Sequence, residues 1–318
     1  MHRLLGLLNA CGASVAVYLC VFGFLVARPF VVDDVGEMMN YKLAYAREAD
    51  SPKIFVIAGS NARFSHSCAV IEARLHRSCI NAGIAAGIGM DWVVDNFRQY
   101  LRPGDVVYLP LEYGQYSVTR AAMLTSADAA YRFRHHKLSL LARGPDGLVR
   151  AAFLFDLPVL IHSLGEMTLH AAGGHRSVGV QTLNKQGDEV GHTDAQAKIY
   201  EPYIRTLPFW PPNSQTLLDN PQGQQAVLAA FLEWCQANGV VAVGGLPTMF
   251  ADRRIADSSV DLLRDFYARH GAGFVELFNR SQYPRGDFFD TPLHLRERAQ
   301  IAHSEMVAEA LSPFLHSR

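Results

Sequence analysis

Cysteine is scarce in this 318-residue chain, with five residues and no CxxC pair. That excludes a disulfide-stapled scaffold and a zinc knuckle. Neither sign of charge is in excess. Twenty-nine basic and 30 acidic residues leave a formal net charge of −1, so nothing in bulk charge points to nucleic acid. Charged residues make up only 19%, against 49% hydrophobic, which excludes a disordered chain. Mean hydropathy lies near zero, which excludes a polytopic membrane protein. Histidine is plentiful, but HExxH and His-x-His spacings are lacking. His135 and His136 are adjacent, while His162, His170, His175 and His192 are scattered, so neither a metal nor another cofactor is expected. Internal repeats are absent as well. The length allows one large domain or two modest ones of ~100–200 residues.

One long apolar run is present. Leu4 to Ala27 carries no charged residue, and these 24 residues reach ~36 Å as a helix, enough to cross a ~30 Å hydrocarbon core with some tilt. A signal peptide is the main rival reading. It is opposed by the length of the run and by the lack of a small-x-small site after it. A buried soluble helix is the other rival, and seldom stays uncharged for so long. Cys20 follows Tyr18 and Leu19, so no lipoprotein cleavage site is read. Arg3 before the run and Arg28 after it nearly balance, which leaves the orientation signal weak. The expectation is an anchor over residues 1–30 and an extracytoplasmic domain over 31–318.

Beyond the anchor the pattern alternates. Lys53–Ala58, Cys79–Ile80 and Val106–Leu111 read as short buried strands. Helices are expected over His66–His76 and from Asp91, as cap, through Leu101. The alternation is interrupted at about 115–222. This insertion holds basic Arg132, Arg134, Lys137, Arg143 and Arg150, then an apolar stretch Ala151–Leu164 broken by Pro158. The basic residues read as a solvated face, or as a contact for anionic lipid headgroups. Gly173–Gly174 and Asn184–His192 read as loops. The pattern resumes with helix Gln222–Asn238, strand Val240–Gly244, helix Ser258–His270, strand Gly273–Leu277 and a last helix over about 296–314. Five strands with intervening helices imply an α/β doubly wound parallel sheet. Cys68 and Cys79 flank a predicted eleven-residue helix of ~15 Å, whereas a disulfide needs Cα atoms within ~7 Å. Pairing therefore requires the chain to fold back. Cys11 and Cys20 read as apolar residues of the span, and Cys235, beside Trp234, as core.

Sites in such sheets lie beyond the C-terminal ends of the strands. Gly59-Ser60-Asn61 follows the first strand, and a serine there can present its hydroxyl as a nucleophile. Asn81-Ala82-Gly83 follows the second, where glycine lets a backbone N–H approach a ligand. Asp287 to His294 precedes the last helix. His294 there can serve as base for Ser60, with Asp290 orienting the imidazole. Each piece alone is commonly just a turn.

Together these pieces resemble the SGNH (GDSL-like) hydrolase superfamily. The resemblance is carried by Ile57-Ala-Gly-Ser-Asn61, Asn81-Ala-Gly83, Leu109-Pro-Leu-Glu-Tyr113 and Asp290-Thr-Pro-Leu-His294, and covers 53–112 and 238–316. It is closest to the membrane-anchored branch that includes proteins of alginate O-acetylation and teichoic-acid D-alanylation. The resemblance implies a flavodoxin-like five-stranded sheet. It implies Ser60 as nucleophile, His294 as base and Asp290 as its partner. The N–H groups of Ser60 and Gly83 would form part of the oxyanion hole. Three departures stand out. The first block reads Gly-Ser-Asn rather than Gly-Asp-Ser. Asp290 and His294 are four apart rather than three, which leaves Asp287 as an alternative. Glu112 and Tyr113 stand where an asparagine donor is usual, so Asn61 is a candidate for the missing donor and Glu112 and Tyr113 for substrate contacts. The implied activity is O-acyl transfer, most simply of acetyl, to a cell-surface polysaccharide from the bacterial inner membrane with the domain in the periplasm. The implied partner is a membrane-bound O-acyltransferase or a polysaccharide synthase or export complex. An esterase on the same fold and a non-catalytic docking partner are the alternatives.

Overall fold

The structure is a computed structural model that describes residues 2–26, 30–119, 165, 168, 172 and 179–315, the side chains of 2, 22–26 and 30–34 excepted. The basic residues expected between 132 and 150, the apolar stretch around Pro158, Gly173–Gly174, and His135, His136, His162, His170 and His175 lie outside the described residues. The chain divides into two compact units, Met1–Glu37 with Leu124–Val178, and Met38–Met123 with Gly179–Arg318.

In the first unit, helix α1 (His2–Val26) contains a window, Arg3–Val21, long and apolar enough to cross a membrane, and none of it is buried. A signal sequence meets the same criteria. A second helix, α2 (Phe30–Glu48), runs from the first unit into the second; no element was expected there.

The second unit is mixed α/β. Five parallel strands, β1 (Ile54–Val56), β2 (Cys79–Asn81), β3 (Val106–Leu109), β4 (Val241–Gly245) and β6 (Gly273–Val275), lie in the order β2-β1-β3-β4-β6. Residues of β1 register with Cys79–Asn81 on one side and Val106–Tyr108 on the other. All side chains of β1, β2 and β3 are buried, as expected of a sheet covered on both faces. β1, β3 and β6 are two or three residues shorter than the expected runs, because apolar residues beyond the pairing continue into buried loops such as Ile57–Ala58, whereas β2 is one residue longer and β4 is of equal length, displaced by one. A second sheet of two short parallel strands, β5 (Met249–Phe250) and β7 (Gln282–Tyr283), was not expected.

The helices include α3 (Ser60–Ser65), α4 (Cys68–Leu75), α5 (Met90–Arg98), α6 (Tyr113–Ser117), α7 (Gln224–Ala237), α8 (Asp257–Arg269) and α9 (Glu297–Leu311), with short helices Asp194–Ala197, Glu201–Thr206 and Ser214–Leu217 between α6 and α7. Gly89, not Asp91, is the residue before α5, and Asp91 lies in its first turn. The expected helix 66–76 starts two residues later, at Cys68. Ser67 Oγ accepts from Val70 N at 3.3 Å, and the Asp188 carboxylate accepts from Cys68 N at 2.7 Å and Ala69 N at 3.0 Å.

Cys68 and Cys79 form a disulfide, with Cα atoms 5.0 Å apart. The predicted helix length argued against this pair. The helix is in fact eight residues, about 12 Å, and His76 ends it in a left-handed conformation. The four residues from His76 to Cys79 then retrace its length. Closing so short a loop contributes about 3 kcal/mol in the chain-entropy account.

The segment read as a loop, Asn184–His192, docks deeply. Gln186 O accepts from Asn81 N at 2.8 Å, and Glu189 N donates to Arg63 O at 3.1 Å. Lys42 of α2 donates to Asn81 O at 2.9 Å and to Gly187 O at 2.5 Å, and burial pushes its ammonium down to about 7.

Two histidines meet in the core beneath α9. His303 Nε2 lies 3.1 Å from His66 Nε2, and His303 Nδ1 lies 2.8 Å from the Tyr283 hydroxyl. Burial pushes His66 down to about 4 and His303 well below its ordinary range. Buried His192 is likewise pushed down to about 4, chiefly by desolvation. The unfolded chain takes up these protons first as pH falls, so the stability they confer is complete above ~6.5 and is lost as pH falls toward ~4. For His66 alone the gap between the ordinary 6.5 and about 4 corresponds to about 3 kcal/mol. Urea unfolding at pH 7 and pH 4.5 should therefore show a large acid loss, and His66→Gln should shrink it; an equal loss in both proteins would contradict this.

Candidate active site

Ser60, Asn61, Gly83, Glu112 and Tyr113 all follow C-terminal ends of sheet strands. Ser60 is the first residue of α3, immediately after Gly59 turns the chain out of the β1 end. Its Oγ lies 2.9 Å from His294 Nε2, and His294 Nδ1 lies 2.7 Å from Asp290 Oδ1. This is the serine–imidazole–carboxylate relay expected from the sequence. Asp287 instead pairs with Arg298 on α9 at 2.7 Å, so the four-residue spacing to Asp290 is the one used.

The His294 ring is held by groups the sequence reading missed. Ser65 Oγ donates to Leu293 O at 2.8 Å and accepts from Leu295 N at 3.1 Å, bracketing His294. Thr248 Oγ1, after β4, also lies 2.7 Å from Leu293 O. The rule that sites follow strand ends, applied to β4, would have pointed at Pro247–Thr248. Phe64 stacks on the His294 ring with centroids 4.2 Å apart and planes 13° off parallel. His192, from the described part of the insertion, packs edge-on against Phe64 and Phe289. The insertion, expected over about 115–222, therefore reaches the site's supporting layer at His192; most of its residues 120–178 lie outside the described residues.

The expected oxyanion donors are less available. Gly83 N–H donates to Asn81 Oδ1 at 3.1 Å. A Cβ on Gly83 would come within 2.6–2.8 Å of Ala62, Arg63 N and Gly59 O, so glycine serves here to let the β2 end pack against α3. The Asn61 side chain is buried and donates to Pro110 O at 2.8 Å. Asn61 N–H donates to Glu112 Oε1 at 3.1 Å. Only Ser60 N–H among the three named residues' backbone donors has no acceptor among the described residues. Asn81, read as a block marker, is a brace: its Nδ2 lies 2.9 Å from Ala62 O, His66 O and Asp188 Oδ1.

Glu112 faces Ser60, with Oε1 3.4 Å from Ser60 Oγ. Gln115 Oε1 accepts from Gly59 N at 3.1 Å and Glu112 N at 3.0 Å, tying the β1 and β3 ends together. Tyr113 is buried, and its hydroxyl has no partner among the described residues; burial pushes its phenol up. Its hydroxyl is thus enclosed rather than open to substrate. Among the described residues no group of three or more His, Cys, Asp or Glu side chains could hold a metal ion. No family model, curated protein or solved structure matches this chain.

Proposed function

We propose that the second unit is an SGNH-like serine acyltransferase that moves an acyl group, most simply acetyl, onto hydroxyls of an exported or cell-surface polysaccharide. The observation that carries this reading is the unbroken relay Asp290–His294–Ser60, with both contacts under 3 Å. The strand order β2-β1-β3-β4-β6, flavodoxin-like in connectivity, supports the family reading.

The chemistry follows from the geometry. Ser60 Oγ attacks the donor's carbonyl carbon while its proton passes to His294 Nε2. Asp290, on Nδ1, fixes the tautomer and steadies the imidazolium. The tetrahedral intermediate collapses, the donor's alcohol leaves with that proton, and an acyl-serine remains. An acceptor hydroxyl then attacks the acyl carbon, gives its proton to His294, and releases Ser60 with its hydroxyl restored.

The setting is part of the proposal. Helix α1 would hold the unit at the bacterial inner membrane as a single span, with the domain on the periplasmic side. The Cys68–Cys79 disulfide supports an oxidising compartment. Anchoring would keep Ser60 near a membrane-bound O-acyltransferase or a polysaccharide synthase or export complex, raising the effective concentration of donor and polymer. One observation favours a second reading, docking without catalysis: the Glu112 carboxylate stands beside the nucleophile, where it opposes a developing oxyanion.

A single assay separates the readings. The full chain is given a chromogenic acetyl ester with and without an oligosaccharide acceptor. Acceptor-dependent acetylation is the expected result. Release into water irrespective of acceptor would make the protein an esterase, and no turnover of any kind would favour docking.

A further inference from the structure

Glu112 Oε1 lies 3.1 Å from Asn61 N and 3.4 Å from Ser60 Oγ. When Ser60 attacks an ester carbon, the carbonyl oxygen comes to lie beside Oγ and is stabilised by an N–H donor such as that of the residue after the serine. A carboxylate oxygen thus stands where negative charge has to develop. Ser60 has one proton to donate, and at 2.9 Å His294 holds it in preference to Glu112.

The surroundings are shaped for this carboxylate. Glu112 is only 9% exposed. Gly59 has φ −76°, which any residue adopts, so its backbone does not demand glycine. Space does: a Cβ there would collide with Glu112 Oε1 and come within 2.8 Å of Glu112 Cδ and 2.9 Å of Ala86 Cβ. Gln115 holds the Glu112 backbone, so the side chain torsions are what can move.

Resting on the acyl-serine reading above, we propose that Glu112 occupies the oxyanion site of the resting enzyme and makes it selective for hydroxyl-rich substrates. A carbohydrate hydroxyl can donate to the carboxylate and draw it off Asn61 N–H. The freed N–H, with that of Ser60, then faces the acyl oxygen. A small ester has no such donor and meets a filled, negatively charged site. Glu112 therefore suppresses wasteful hydrolysis of simple esters and reserves Ser60 for sugar-borne chemistry.

The test uses a fluorophosphonate, a serine-reactive probe without hydroxyls. Ser60 Oγ bonds to its phosphorus, fluoride leaves, the serine proton passes to His294, and the phosphoryl oxygen takes the oxyanion site. Labelling rates are measured on the full chain for wild type, Glu112→Gln, Glu112→Ala and Ser60→Ala, with a melting curve for each. Gln keeps an acceptor for Asn61 N–H without the charge, and Ala vacates the site. Both should label at least ~10-fold faster than wild type, since each relieves a charge opposed to the oxyanion. A non-acetylated oligosaccharide should accelerate wild type and leave Glu112→Ala unchanged. A purely structural Glu112 would give slower labelling in both variants, and equal or slower labelling in a variant that melts like wild type overturns the proposal. If a variant fails to fold, the oligosaccharide arm on wild type decides, and no acceleration there also overturns it. Absence of Ser60 labelling in every folded protein would instead defeat the acyl-serine reading itself.

Discussion

Ser60→Ala is expected to lower acyl transfer by ~10⁴-fold or more while leaving the melting temperature nearly unchanged. Among the described residues the hydroxyl touches only His294 and, more weakly, Glu112, and it fills no core volume. Its loss therefore removes the attacking atom without a cavity penalty. His294→Ala should cost about as much, because nucleophile and base act as a unit and their losses do not add. The double variant should be no worse than either single one. The measurement is initial rate of acetyl transfer to oligosaccharide beside a melting curve. A Ser60→Ala protein that transfers at a wild-type rate would place the chemistry elsewhere.

Asp290→Asn carries the second largest expected effect, a fall of about 10³–10⁴-fold in turnover with little change in stability. Asp290 makes one side-chain hydrogen bond among the described residues, to His294 Nδ1 at 2.7 Å. An asparagine amide can donate to Nδ1, which puts the imidazole proton on Nε2 and turns the base away from its task. Asp287 cannot take over, because its carboxylate is engaged by Arg298 at 2.7 Å. A loss of under tenfold would mean that another group orients His294. Adding Arg298→Ala to Asp290→Asn distinguishes the two accounts: recovery of rate would show that a released Asp287 reaches the ring.

The relay was legible in the sequence because parallel topology brings the C-terminal ends of all the strands to one edge of the sheet. Gly59-Ser60 was found by that rule; Asp290–His294, more than two hundred residues away and just before the last helix, was found by ordinary proton chemistry and by the family resemblance. The choice between Asp290 and Asp287 was not legible. It depends on Arg298, which lies in the first turn of α9 and competes for one of the two carboxylates. The disulfide was left undecided for a local reason: the left-handed His76 shortens the helix and turns the chain back, as pairing required, and no side-chain pattern announces a left-handed histidine. Asn184–His192 reads as a polar loop by composition. Its Asp188 nonetheless caps α4, and its backbone pairs with the β2 end, because the capping partner lies over a hundred residues away. The donors expected from Gly83 and Asn61 were read from their positions alone. Whether an N–H is spent on a neighbour depends on side chains such as Asn81 and Glu112, which only the folded chain brings into place.

Passage of an acyl group through Ser60 is the central claim, and it can be weighed directly. The full chain, as wild type and as Glu112→Ala to open the oxyanion site, is incubated with an activated acetyl ester without acceptor, quenched in acid, digested, and its peptides measured by mass spectrometry. The expected result is an acetyl increment on the Ser60 peptide, absent in Ser60→Ala and discharged when oligosaccharide is added before the quench. Acetylated oligosaccharide formed by the protein with no acetyl ever found on Ser60 would contradict the claim.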